Sequence, residues 1–190
     1  LGLFTIYAYS RIRGTAREQT LSAAQNAFDS SAASVQQALD TLDEVLDILA
    51  ADPLVYAMAS NDPADFSYIR RLEDSDQLEL TFQHLRKLSG VAQIRLYVDN
   101  GYLYTSGRSS IMQAGEAAGS GWYEAVTGGG GRSWFAPADL SDQPEAERQR
   151  FAAMRVIYNP RAVLEPLAIL RADTDAAYIL QYLNAPPVVE

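Results

Sequence analysis

The chain offers little from which to assemble a reaction. Its 190 residues contain no cysteine and a single histidine, His84. That removes disulfides, thiol nucleophiles and cysteine metal sites, and leaves a histidine triad or zinc site almost without material. His84 stands between Phe82 and Leu85 with no acidic or histidine partner at ligand spacing, the pattern of a surface or boundary residue. Neighbouring carboxylates, Asp43 with Glu44 and Glu145 with Glu147, fall on segments that read as solvated. They have no buried setting that would drive their pKa values apart for acid–base work. Gly128 to Gly131 are four consecutive glycines, but no strand-Gly-x-Gly-x-x-Gly-helix context surrounds them and no Lys-Ser/Thr follows. They read as a flexible link and not as a phosphate cradle. No catalytic residue, cofactor or metal ligand is assigned.

What remains is the chemistry of recognition, carried by arginine and aromatic side chains. Arginine clamps carboxylates through two parallel hydrogen bonds, and tyrosine or tryptophan faces suit sugars and ammonium groups. Parity along the strands described below sends Arg95 and Tyr97 to one face, with Tyr102 and Tyr104 sharing a face of the next strand. Trp122, Tyr123 and Trp134 lie in segments that would cover that face, and Arg155 and Asp173 are the polar residues nearest the middle of the last two strands. These nine are the candidate ligand-binding residues, an aromatic wall with a few aimed charges. The plainer alternative makes Trp122 and Trp134 core filler and puts Arg95, Arg155 and Arg171 on a solvated face. A net charge of −9 argues against a nucleic-acid partner, since the arginines are scattered and Lys87 is the one lysine.

The elements that must position these residues are organised by Thr15–Ala51, a stretch without proline or glycine. Leu21, Gln25, Phe28, Ala32, Val35, Leu39, Leu42, Leu46 and Leu49 form a heptad seam broken only at Gln25, which predicts one long helix. At about 1.5 Å per residue it would run roughly 55 Å. Its C-terminal half reads as core, and the rest must project or meet a second copy. Asp52-Pro53 ends it, and a second helix is predicted from Phe66 to Leu88 with Gly90 as its cap. At Val91 the period falls to 2. A strand Val91–Val98, the turn Asp99-Asn100-Gly101 and a returning strand Tyr102–Ser106 read as a hairpin. A loop follows over Gly107–Gly121, then a helical turn Trp122–Val126, strand Ser133–Ala136 and an exposed turn Asp139–Gln149. Strands Arg150–Asn159 and Glu165–Thr174 and a short helix Asp175–Leu183 close the order. The fold class expected is α+β, a long N-terminal helix packed on a five-stranded antiparallel sheet. Ahead of the long helix, residues 1–14 are apolar and aromatic up to Tyr9 and read as the outer end of a transmembrane helix. Arg11 and Arg13 would then lie outside, against the usual cytoplasmic bias. The expected division is therefore 1–14, a helical region 15–90 and a sheet module 91–185.

With strands and loops placed, Ile94-Arg95-Leu96-Tyr97-Val98-Asp99-Asn100-Gly101, Ser120-Gly121-Trp122-Tyr123 and Ser133-Trp134-Phe135 come into order. Met154-Arg155-Val156-Ile157 and Leu167-Ala168-Ile169-Leu170-Arg171-Ala172-Asp173 follow. This series resembles the outer sensor region of YesM-like bacterial sensor histidine kinases, a Cache domain related to PAS domains. The resemblance implies strand order 2-1-5-4-3, a ligand pocket on the sheet face opposite the long helix, a homodimer, and a kinase beyond a second membrane span. It implies an extracytoplasmic location at the cell membrane. The resemblance implies a carbohydrate or organic acid as ligand, since YesM-like receptors frequently accompany sugar-uptake systems; an amino acid is disfavoured because Ser120 replaces the arginine that amino-acid-binding Cache domains carry two residues before Trp-Tyr. The competing functions are a ligand-free module that docks a solute-binding protein, and the same sensor feeding a chemoreceptor or cyclase.

Overall fold

The computed structural model describes residues 2–129, 131–140, 143, 145–159 and 165–183, with side chains omitted at 2–18, 132, 146, 147, 180, 182 and 183. Helix α1 runs Gly2–Ala51, taking in the whole predicted rod. Its seam divides in use. Leu42, Val45, Leu46 and Leu49 are buried, whereas Leu21 and Phe28 are exposed. Among the described residues no helix is long and apolar enough to cross a membrane. The side chains of 1–14 lie outside those described, as does Pro144 of the expected turn.

By its contacts the chain divides into two units, Leu1–Ala38 with Tyr178–Glu190, and Leu39–Ala177. The second unit holds the rest of α1 and all of the sheet. Asp52 caps helix α2 (Pro53–Ser60), its Oδ1 accepting from the Leu54 N–H at 2.8 Å, with Pro53 in the first helical position where its missing N–H costs nothing. Ser67 caps α3 (Tyr68–Ser89) through Arg70 N–H at 3.3 Å. Gly90 ends it at φ 71°, a left-handed conformation that favours glycine. Only the middle of α3 is buried. Leu78 and Phe82 are in the core while Ile69 and Leu88 are exposed.

The sheet has strands β1 (Gln93–Val98), β2 (Ile111–Gln113), β3 (Arg132–Phe135), β4 (Arg150–Tyr158) and β5 (Pro166–Asp175), in the order β2-β1-β5-β4-β3. The order is the one the resemblance implied, but the sheet is mixed. β1 and β2 run parallel, with Leu96 opposite Ile111, and the other three pairs are antiparallel.

The expected hairpin is therefore corrected, and the reason is chemical. Asn100 does not merely turn the chain. Its Nδ2 donates to the carbonyls of Met58 and Ala59, both at 2.8 Å, and so caps α2. Residues 102–110 then bind α3 and meet β1 only at their end, where the Ser110 carbonyl accepts from Leu96 N–H at 2.7 Å and the Ser109 carbonyl from Gln93 Nε2 at 3.2 Å. Ser75 Oγ accepts from the Tyr104 N–H at 3.0 Å, and Arg71 donates to the carbonyls of Tyr102 and Gly101. Glu79 accepts from Ser109 Oγ at 2.9 Å and from Ser110 N–H and Oγ at 3.1 Å. The second strand starts only at Ile111, inside the expected loop, and helix α4 (Ala114–Ala117) follows it. The turn expected over Asp139–Gln149 also differs. A 3₁₀ turn Pro137–Leu140 buries Leu140, and α6 (Glu145–Arg148) precedes β4.

The two sheet faces carry separate cores. Leu42, Val45, Leu46 and Leu49 of α1, with Val55, Leu78 and Phe82, pack on Ile94, Leu96, Val98, Ala153, Ile157, Leu170 and Ala172. The opposite face is covered by α5 (Gly121–Gly128) and the 3₁₀ turn, where Trp122, Val126 and Leu140 meet Tyr97, Ala152, Met154, Val156 and Ile169. The final helix α7 (Ala176–Leu183) starts at Asp175, whose Oδ1 accepts from Ala177 N–H at 2.9 Å.

Candidate functional site

Alternation along the strands is the first determinant of the site. In β1, Ile94, Leu96 and Val98 belong to the helix-side core, so Gln93, Arg95 and Tyr97 emerge on the far face. The cross-strand register extends this into rows. Gln93, Asp173 and Ala152 form one, Arg95, Arg171 and Met154 the next, and Tyr97, Ile169 and Val156 a third. Charge thus occupies one end of the far face and apolar packing the other. Arg150 enters from the start of β4 on the same side as Ala152.

Charges at this end are close. Arg171 and Asp173 are wholly buried, and Arg171 Nε donates to Asp173 Oδ1 at 2.8 Å. Arg150 Nη1 lies 4.0 Å from Asp173 Oδ2 and donates to Gln93 Oε1 at 2.8 Å. Arg95 Nη2 donates to the same Gln93 oxygen at 2.9 Å. Burial pushes the Asp173 carboxyl above its ordinary value, against the pull of Arg171, Arg95 and Arg150. The guanidinium of Arg171 sits 5.4 Å from the centre of the Trp122 ring, which in turn packs 5.2 Å from Tyr97 and 5.8 Å from Tyr123. Trp122 is 1 % exposed, yet its Nε1 has no hydrogen-bond partner among the described residues. An indole N–H in that position ordinarily finds an acceptor.

Arg95, Tyr97, Trp122, Tyr123 and Asp173 are therefore brought together. No family model, curated protein or solved structure matches the chain.

Four of the nine candidates lie elsewhere. Tyr102 is buried in the helix-side core, where its hydroxyl donates to Asp74; burial, and then that carboxylate, raise its pKa. Tyr104 packs against Tyr68 at 5.2 Å and under the Arg71 guanidinium at 4.8 Å. Both belong to the segment that binds α3, not to a second strand of a hairpin. Arg155 turns toward α1, where its Nη1 pairs with Asp47. Trp134 stands opposite Ala153, on the helix side, and is 39 % exposed.

Gln93, Arg150 and Arg171 are the residues that reading by eye does not collect. Arg171 carried a signal, since it lies two positions from Asp173 and any strand that points one inward points the other inward. The same spacing joins Gln93 to Arg95. Arg150 had none, because β4 is apolar on both faces and its parity emerges only from pairing. Burial of Arg171 also corrects the solvated-face alternative for that residue. Among the described residues no group of three metal-ligating side chains exists.

Proposed function

We propose that the chain is the extracytoplasmic ligand-sensing domain of a two-component sensor histidine kinase. It binds a small polar molecule on the sheet face opposite α1 and passes the signal along that helix. One observation carries the reading: a wholly buried Arg171–Asp173 pair, flanked by Arg95 and Arg150 and stacked under Trp122, on the face that α1 does not use. Burying such a pair is expensive, and replacing it with hydrophobic residues of similar volume is often neutral or stabilising. A fold that keeps such a pair wholly buried against this cost has a use for the charge. The strand order supports the same reading, because it is the one expected of a Cache-type sheet.

The response is a shift between two arrangements of paired α1 helices, driven by differential affinity of the ligand for the two. The chain has no cysteine, so a single substitution supplies a clean reporter. Phe28→Cys, at an exposed position of α1, should give a disulfide-linked dimer whose yield changes when a binding sugar or organic acid is added. The change should disappear in a Phe28→Cys, Trp122→Ala double variant. A yield indifferent to every compound that binds would overturn the proposal.

A further inference from the structure

The Asn100-Gly101 turn has no part in the ligand-sensing reading, and its chemistry leads elsewhere. It is the one Asn-Gly pair in the chain. We infer that Asn100 is a modification site gated by folding. Its side-chain amide is hydrolysed when the turn opens, and the native hydrogen bonds keep it intact. The inference does not depend on any ligand.

In the reaction the Gly101 nitrogen gives up its proton and attacks Asn100 Cγ. A new N–C bond forms, the Cγ–Nδ2 bond breaks, and Nδ2 leaves with that proton as ammonia. Water then opens the cyclic imide, at one carbonyl to give aspartate and at the other to give isoaspartate. The net change is amide plus water to acid plus ammonia, and it needs no oxidant or cofactor. Glycine hinders such an attack least, having no side chain, and Gly101 is exposed.

The folded chain holds the reacting groups back. Nδ2, the group that must leave, donates to the carbonyls of Met58 and Ala59, both at 2.8 Å, and Oδ1 accepts from the Tyr102 N–H at 3.0 Å. The carboxamide is thus held at both ends. Attack turns Cγ tetrahedral and expels Nδ2, so it cannot proceed until the bonds to α2 have let go. Gly101 is fixed as well, at φ 66° with its carbonyl accepting from Arg71. Once converted, the side chain at position 100 has lost its N–H donors. A carboxylate there would meet two of the last carbonyls of α2 oxygen to oxygen and leave them uncapped. The isoaspartyl product also lengthens the backbone just ahead of Gly101, against the hold of Arg71. Hydrolysis is one-way, so a chain that has opened keeps the mark.

The test incubates the purified chain at mildly alkaline pH, in buffer and in enough guanidinium chloride to unfold it. Position 100 is followed by peptide mass. Conversion should be about 10- to 100-fold slower in buffer, where local opening limits it. Arg71→Gln, which frees the Gly101 carbonyl, should speed conversion in buffer and leave the denatured rate unchanged. Gly101→Ala should slow the denatured rate, because its methyl group crowds the attack. Asn100→Asp should lower the folded-to-unfolded ratio about 10- to 100-fold, read by urea unfolding. If Asn100→Asp or Arg71→Gln does not fold, the two rates of the parent carry the test. Equal rates in buffer and denaturant overturn the inference, as does a denatured chain in which position 100 stays intact. An Asn100→Asp variant as stable as the parent overturns it too.

Discussion

The two faces of the sheet are made from the same strands and answer to different demands. Toward α1, the buried positions of β1, β4 and β5 are Ile94, Leu96, Val98, Ala153, Ile157, Ala168, Leu170, Ala172 and Thr174, with no charged side chain among them. Toward α5, the same strands place Gln93, Arg95, Arg150, Arg171 and Asp173 beside Tyr97, Ile169 and Val156. Apolar burial at about 25 cal/mol per Å² makes the first face a source of stability. Buried charge makes the second a cost that stability alone does not explain. A sheet that could have been apolar on both sides, and is not, points to the charged end as the place where selection acted on something besides folding.

The largest effect should come from breaking the charged end. Arg171→Met leaves Asp173 buried without its cation and should destabilise by about 3–5 kcal/mol, measured by urea unfolding. The double variant Arg171→Met, Asp173→Leu should recover most of that loss. A single variant as stable as the parent would mean the pair is not buried as described.

On the helix side, Leu46→Ala should cost about 2–5 kcal/mol through the cavity it leaves. Unlike Arg171→Met, no partner substitution on the far face should rescue it. If its cost were below about 1 kcal/mol, as for a surface site, α1 would not be part of the core.

A smaller effect separates the faces by pH. Burial pushes Glu79 up, but hydrogen bonds from Ser109, Ser110 and Gln83 outweigh it, and its pKa falls below the ordinary 4.5. A depressed carboxylate contributes stability that is present above its unfolded pKa and lost as pH falls through the folded one. Asp173 runs the other way: raised above the ordinary 3.8, its cost develops as pH climbs past that value and is relieved in acid. Glu79→Gln should therefore lower stability at pH 7 by about 1–3 kcal/mol. It should also flatten the loss of stability expected of the parent as pH falls below 4.5. An acid limb unchanged by the substitution would exclude Glu79 as its source.

The smallest effect should be at Arg155, whose ion pair with Asp47 is open to solvent on both sides. Arg155→Ala should change stability by about 0–1 kcal/mol.

The contrast between faces also explains what was legible in the sequence. Helices announced themselves through a stripe and a cap, as at Asp52-Pro53 and Gly90, because these are local chemistry. The parity of β1 was readable because Ile94, Leu96 and Val98 alternate with Gln93, Arg95 and Tyr97. The parity of β4 was not, since Ala152-Ala153-Met154 is apolar on both sides, and Arg155 was assigned to the wrong face for that reason. The hairpin failed at Asn100-Gly101, whose turn chemistry is real; Gly101 does adopt φ 66°. What redirected the chain was long-range, the capping of α2 by Asn100 and the binding of residues 102–110 to α3. No local pattern contains such contacts. With Tyr102, Tyr104, Trp134 and Arg155 removed and Gln93, Arg150 and Arg171 added, the candidate site becomes more charged and less aromatic than the sequence suggested.

The two tryptophans stand on opposite faces and allow the central claim to be put to one measurement. A Trp134→Phe variant leaves Trp122 as the single tryptophan, and a Trp122→Phe variant leaves Trp134. Both are titrated with a panel of carboxylates and sugars while tryptophan emission is followed. The account predicts a saturable change in the protein that keeps Trp122 and none in the protein that keeps Trp134. A change that follows Trp134, or none from Trp122 with a compound that calorimetry shows to bind, would contradict it.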